Sequence, residues 1–340
     1  MHAPNRPAPE LADQGRGGGP VSVLRPGMVR RTTSIDMHWP EGRGGAARFD
    51  ARSRDAFVAA DGALRIMDAH AITGQASLAR QISGVDAGPD VRIGPALEGL
   101  RAGGQVRARL RELFPHDADR QGGLYLLLDD LAGATLVGNW GWFAWDGYSE
   151  ALGNIIRGAD ISGWNGSMRG VCMGLREGSS ALDAKGFPKM EEQYSATVAP
   201  LVHPDDVLGW HDLPAFPEAA MRRARWIDVW RDGPVLHVAT GFQDSGARPD
   251  GQRQAIHEYR ARLVLEADFR IAAIDVTPHL LPHGDCPAAI LNVTRVKGER
   301  LDNLREIVPQ RLAGEDGCTH LNDVLRALCG VPSLAHHLPA

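Results

Sequence analysis

The sequence predicts an α+β protein built of two tandem related units, each a β-meander followed by helices, with an aromatic-rich insertion between them. Two observations predict it. Segments recur in order: Leu110-Arg111-Glu112-Leu113-Phe114-Pro115 returns as Leu304-Arg305-Glu306-Ile307-Val308-Pro309. At the same offset Gly123-Leu124-Tyr125-Leu126-Leu127-Leu128-Asp129 aligns with Gly317-Cys318-Thr319-His320-Leu321-Asn322-Asp323. Arg30-Arg31 and Ile35-Asp36 likewise return as Arg222-Arg223 and Ile227-Asp228, and the turn-like Asp61-Gly62 as Asp250-Gly251. Matches in the same order with small shifts in offset argue for duplication. The second observation is that strand-like stretches precede helix-like ones in both halves.

Residues 1–28 are rich in Pro and Gly without periodicity, which predicts a disordered lead-in. The first unit, 29–137, opens with strands expected at 30–39, 46–57 and 65–79. Leu97, Leu100, Val106, Leu110 and Leu113 then fall near helical spacing and predict one helix over 95–114, with a second over 124–136. Residues 138–220 have no counterpart in the other half. They carry Trp140, Trp142, Phe143, Trp145, Tyr148, Trp164 and Trp210, and end in a Pro-rich linker. The second unit, 221–334, has strands expected at 226–230, 235–242, 255–267 and 269–277, then helices at 301–312 and 319–328.

A net charge of -5 without a Lys/Arg block argues against nucleic-acid binding. Arg222, Arg223 and Arg225 are expected on a solvated strand edge or in salt bridges rather than as phosphate readers. Apolar runs are too short for a bilayer span, and the charged, Pro- and Gly-containing N-terminus lacks a signal-peptide core, so a cytoplasmic protein is expected. The four cysteines, Cys172, Cys286, Cys318 and Cys329, lack the spacing of a disulfide scaffold and are expected to be reduced.

The second unit resembles a bacterial family known as domain of unknown function 2889. The resemblance rests on His257-Glu258-Tyr259, Thr277-Pro278, Cys286-Pro287 and Gly317-Cys318-Thr319-His320-Leu321-Asn322-Asp323. The first unit looks like the longer, two-copy members through Arg30-Arg31-Thr32-Thr33-Ser34-Ile35-Asp36 and Leu126-Leu127-Leu128-Asp129-Asp130. The family name implies no chemistry, and the insertion's Asn139-to-Trp145 stretch departs from its usual pattern.

The two copies differ in residue chemistry. Where the first is apolar between its Gly and Asp, the second places Cys318, Thr319, His320 and Asn322. A core has no need of a thiol, hydroxyl, imidazole and amide together, so the candidate site lies here. Thr319 is expected to cap the following helix, and Asp323, three residues on, to orient His320 as a general base. The alternative is a purely structural cap and hydrogen bond. Alternation puts His257 and Tyr259 on one apolar strand face, as second-proton handlers or as a core edge. Trp140, Trp142 and Trp145, with Cys318, Asn322, Asp36 and His38, are candidate substrate contacts, though the tryptophans would equally suit a dimer interface.

Three functions follow. The leading one is a cofactor-independent lyase or isomerase acting on a small aromatic or phenolic compound, such as a lignin-derived dimer, by proton transfer. No Walker loop, dinucleotide fingerprint or haem motif is present. The second is a metal-dependent hydrolase or lyase holding zinc through some of His279, His283, Cys286, Cys318 and His320. The third is a non-catalytic ligand-binding protein. The partners expected are a small aromatic substrate, with no nucleic acid and no membrane, and a homodimer is left open.

Overall fold

The structure, a computed structural model, describes residues 17–145, 167–189 and 194–339. Its frame is one antiparallel sheet of nine strands, in the order β4-β3-β2-β1-β6-β7-β8-β5, with β9 also pairing with β8. The strands are β1 Met28–His38, β2 Ala47–Val58, β3 Leu64–Ala76, β4 Ile82–Asp86, β5 Ala196–Val198, β6 Ala220–Asp232, β7 Val235–Ala247, β8 Arg253–Leu265 and β9 Ile271–Leu280. The helices are α1 Ile93–Leu97, α2 Gly104–Leu113, α3 Gly123–Val137, α4 Leu304–Arg311, α5 Thr319–Ala327 and α6 Val331–Ala335. Among the described residues the chain is mixed α and β, with the α-helices in the segments that follow each set of strands. Among the described residues no helix is long and apolar enough to cross a membrane.

The turns follow from local chemistry. Gly62 and Gly251 have φ of 84° and 79°, the left-handed region that favours glycine. The Asp61 and Asp250 carboxylates accept the backbone N–H groups of Ala63 and Gln252, closing both turns alike. The single helix expected over 95–114 is instead two, α1 and α2. Gly99 and Gly103 between them take φ of 73° and 143°, which no right-handed helix contains.

At the centre β1 and β6 pair antiparallel, Arg30 opposite Asp228 and Asp36 opposite Arg222. The repeated Arg-x5-Asp spacing thereby becomes two reciprocal bridges: Arg30 Nε to Asp228 at 2.5 Å and Arg222 Nε to Asp36 at 2.5 Å. Both strands are covered on both faces, so of the two expectations the solvated edge is corrected and the salt bridges are found for Arg222, Arg223 and Arg225. They are buried, and each has its own carboxylate: Asp36, Asp244 and Asp130. A buried guanidinium is tolerable only when paired in this way.

One sheet face carries all the long helices over two apolar cores. One core joins Ile35, Phe49 and Ile72 to Val106, Leu110 and Leu128; the other joins Val238, Phe242 and Leu263 to Val308, Leu321 and Val324. The opposite face is sealed by Val21, Leu201 and Trp210 against Ala224 and Trp226. There His211 sits between the hydroxyls of Thr32 and Ser34, at 2.7 and 2.8 Å.

Candidate functional site

The helix-covered face of β6, β7 and β8 sets Arg223, Asp244 and His257 in one row, because the register pairs Arg223 with Asp244 and Asp244 with His257. α5 crosses above and lays His320 on the row. The His257 and His320 rings stack with centroids 3.5 Å apart and planes 21° apart. His257 Nδ1 lies 3.2 Å and His320 Nε2 4.0 Å from Asp244 Oδ2. Neither of these two buried ring nitrogens has an aligned hydrogen-bond partner. The Asp244 side chain is fully enclosed, while that of His320 keeps 12 % of its surface open.

The electrostatics follow from this packing. Burial alone would raise the Asp244 pKa, but Arg223 binds both carboxylate oxygens, at 2.8 and 2.9 Å, and holds it well below the usual carboxylate range. Burial lowers the His257 pKa, with Asp244 opposing. It lowers His320 further, helped by the neighbouring His257. Two stacked imidazoles in a low-dielectric site cannot both be charged. At neutral pH the site is thus an ionised carboxylate and two neutral imidazoles, the form in which histidine accepts a proton or binds a metal.

Of the site residues expected from sequence, the structure brings His257 and His320 together. Asp323 borders the row through Arg223 rather than His320: its oxygens accept from Arg223 Nη1 and Arg107 Nη2, each at 3.0 Å, and the carboxylate beside His320 is Asp244. Thr319 does not cap α5. Cys318 occupies that position without a capping bond, and Thr319 Oγ1 is 3.4 Å from His320 Nδ1. Asn322 donates to the Leu312 carbonyl at 2.8 Å and so fastens the preceding loop. Tyr259 is wholly buried in the core, where burial and then Cys318 push its phenol pKa well up.

Asp36 and His38 lie on β1 away from this row. Asp36 is committed to Arg222, and His38 stacks on Phe216 with centroids 5.6 Å apart. The tryptophans do not gather into one wall. Trp140 stacks on Phe143 and packs on Ile256, next to His257; Trp142 tilts against Trp39; Trp145 donates to the Ala247 carbonyl. Trp210 belongs to the other face. Tyr148 and Trp164 lie outside the described residues.

The five residues first considered for zinc do not converge. Among the described residues, the donor set that does is Asp244, His257 and His320, with ligand atoms within 4.8 Å of one another. His279 is on β9, His283 is in the loop after it, and Cys286 opens the 3-10 helix Cys286–Val296 that follows. The thiols are poor nucleophiles: burial raises Cys318, raises Cys286 well above its ordinary value, and pushes Cys172 up to about 12. All four cysteines are free.

Sequence reasoning missed Asp244 and Arg223 as site members. The available signal was alternation: β7 puts Phe242 and Asp244 on one face, and β6 puts Arg223 and Arg225 on the same one.

The fold and this row of residues define an α+β protein with a buried Asp-His-His centre on one sheet face. Residues 221–333, which supply the whole centre, match the family described as "Protein of unknown function (DUF2889)". No curated protein and no solved structure matches the chain.

Proposed function

We propose that the protein is a lyase or isomerase that moves a proton on a small aromatic or phenolic molecule, with His320 as the base. The observation that carries the reading is a neutral, part-open imidazole set 4.0 Å from a carboxylate that Arg223 keeps ionised. The part-open imidazole of His320 takes a proton from a carbon of the substrate. Asp244 stabilises the imidazolium so formed, and stacked His257 stays neutral. The same proton is then returned to another carbon, giving isomerisation, or to the departing atom, giving elimination. A single base thus balances either reaction.

The aromatic substrate is supported by Trp140 and Phe143, which reach Ile256 beside His257. Lignin-derived phenolic dimers are the compounds to offer first. The chain as a duplicated pair of units belongs to the same reading. The reciprocal Arg30–Asp228 and Arg222–Asp36 bridges are what a two-fold relation between β1 and β6 requires.

A panel of phenolic dimers incubated with wild-type protein and with His320→Gln, followed by chromatography and mass spectrometry, tests the function. Conversion of a compound by wild type and its loss by about 100-fold or more in the variant is expected. Equal conversion by both would end the reading.

A metal-dependent hydrolase or lyase is the second reading, favoured by the convergence of one carboxylate and two imidazole donors. The near-parallel rings weigh against it, since their lone pairs run side by side rather than toward a common point. Elemental analysis settles between them: one zinc or iron per chain, lost in His257→Ala, favours the metal.

A further inference from the structure

The repeated Leu-Arg-Glu-x-x-Pro segment takes no part in the Asp-His-His centre, yet both copies border one cavity. Arg111 on α2 and Arg305 on α4 hold the same place in the repeat, and both line one cavity of about 360 Å³ between the helices of the two halves. We infer that this cavity binds the oxyanion of a small molecule, a carboxylate or a phosphate, between Arg111 and Arg305. The site shares no residue with the Asp-His-His centre and goes beyond the proposed function.

Five arginines line the cavity, against the carboxylates of Asp117, Asp302 and Glu306. Three of the five are already engaged. Arg107 bridges Asp129 and Asp323, Arg326 holds Asp129, and Arg120 pairs with Asp117 at 3.4 Å. Asp302 is taken by Arg300 from outside, at 2.9 Å. Among the described residues Arg111 and Arg305 have no ion pair. Arg305 instead lies 4.6 Å above the Tyr125 ring, with its Nε buried and without a hydrogen-bond partner.

Arg305, half-buried, and Arg111, exposed, both border the cavity, and an oxyanion between them accepts from both forks. Glu306, exposed as Arg111 is, makes no ion pair with either arginine among the described residues. The cavity has the size of a small-molecule site, on the order of 300 Å³ or more. Its polar wall suits a charged group rather than a wholly apolar ligand.

The test is titration calorimetry on the full chain with inorganic phosphate and, separately, with benzoate, against chloride at equal ionic strength. Saturable binding of either anion is expected, and which one binds identifies the group. Arg111→Gln and Arg305→Gln should each weaken it about tenfold, while Arg305→Lys retains most of it. Arg109→Gln, an exposed neighbour paired with Glu112, should leave it unchanged. His320→Gln should bind as wild type does, so failure of the catalytic reading and failure of this one are separable. No saturable binding of either anion, or binding that Arg111→Gln and Arg305→Gln leave intact, overturns the inference.

Discussion

Buried histidines set how this protein responds to acid. Burial, and after it Arg54, lowers His211 to about 3, and burial lowers His257 and His320 as well. Each is neutral in the fold and binds a proton once unfolded, below its ordinary pKa of about 6.5. The unfolded chain is then the better proton binder, so this stability is complete above about pH 6.5 and drains as pH falls toward the folded values. The loss is about 1.4 kcal/mol per pH unit for each histidine inside its window. Unfolded carboxylates titrate near pH 4, below the upper part of that window. The urea midpoint should therefore fall steadily between pH 7 and pH 5, and His211→Gln should flatten the slope. A midpoint constant over that range in wild type would refute the assignment.

His257 and His320 were legible as site residues because an imidazole in an apolar strand face, or in a segment that is apolar in the other copy, stands out. Asp244 was not. Its meaning comes from Arg223, which is 21 residues away in sequence and adjacent only through β6–β7 register. Asp323 looked like the better partner for His320 because three-residue spacing on a helix is visible locally. Three-residue spacing does not show which way two side chains turn, and Arg107 and Arg223 draw Asp323 aside.

At the scale of elements, the β1–β6 seam and the α3 crossing hold the site in place. Removing one partner of a buried pair leaves an uncompensated charge, so Asp36→Ala and Asp228→Ala should each cost about 3–5 kcal/mol. A double-mutant cycle of Asp36→Ala with Arg222→Ala should recover part of that cost; additive losses would mean the bridge contributes nothing. α3 passes so close to the site that a Cβ on Gly133 would fall 1.7 Å from Arg223 Nη1 and 2.7 Å from Asp323 Oδ2. Gly133→Ala should thus destabilise by about 1–3 kcal/mol through displacement of Arg223, read in denaturant melts. Stability equal to wild type would show that the helix can shift freely. The turns at Asp61-Gly62 and Asp250-Gly251 were readable because each side chain closes its own turn. The break between α1 and α2 was hidden because apolar spacing continued across Gly99, Gly103 and Gly104.

For the whole molecule, the ion pairs tie the two halves into one folding unit. Arg326 reaches Asp129, Arg225 reaches Asp130, and Arg107 reaches Asp323, each joining the first half to the second. The segment matched by the family, expressed alone, would lose the partners of Arg222, Arg225 and Arg326 and bare β6 as a sheet edge. Residues 217–339 alone should therefore show no cooperative melt by circular dichroism as a monomer, whereas the full chain should unfold in one transition. A cooperative monomeric melt of that segment would contradict the claim. Sequence periodicity revealed the two sets of strands and helices. It did not reveal that they share one sheet, since strand pairing between β1 and β6 leaves no local trace beyond the repeated Arg and Asp.

The central claim is that His320, held neutral beside an ionised Asp244, is the catalytic base. The most direct test is the pH dependence of kcat/KM for the first phenolic compound found to turn over, in wild type and in His320→Gln. Wild type should keep full kcat/KM below pH 6.5 and lose it on one protonation at lower pH, since burial lowers the His320 pKa. His320→Gln should lose about 100-fold or more in kcat. Turnover in His320→Gln at the wild-type rate with the same pH profile would contradict the account.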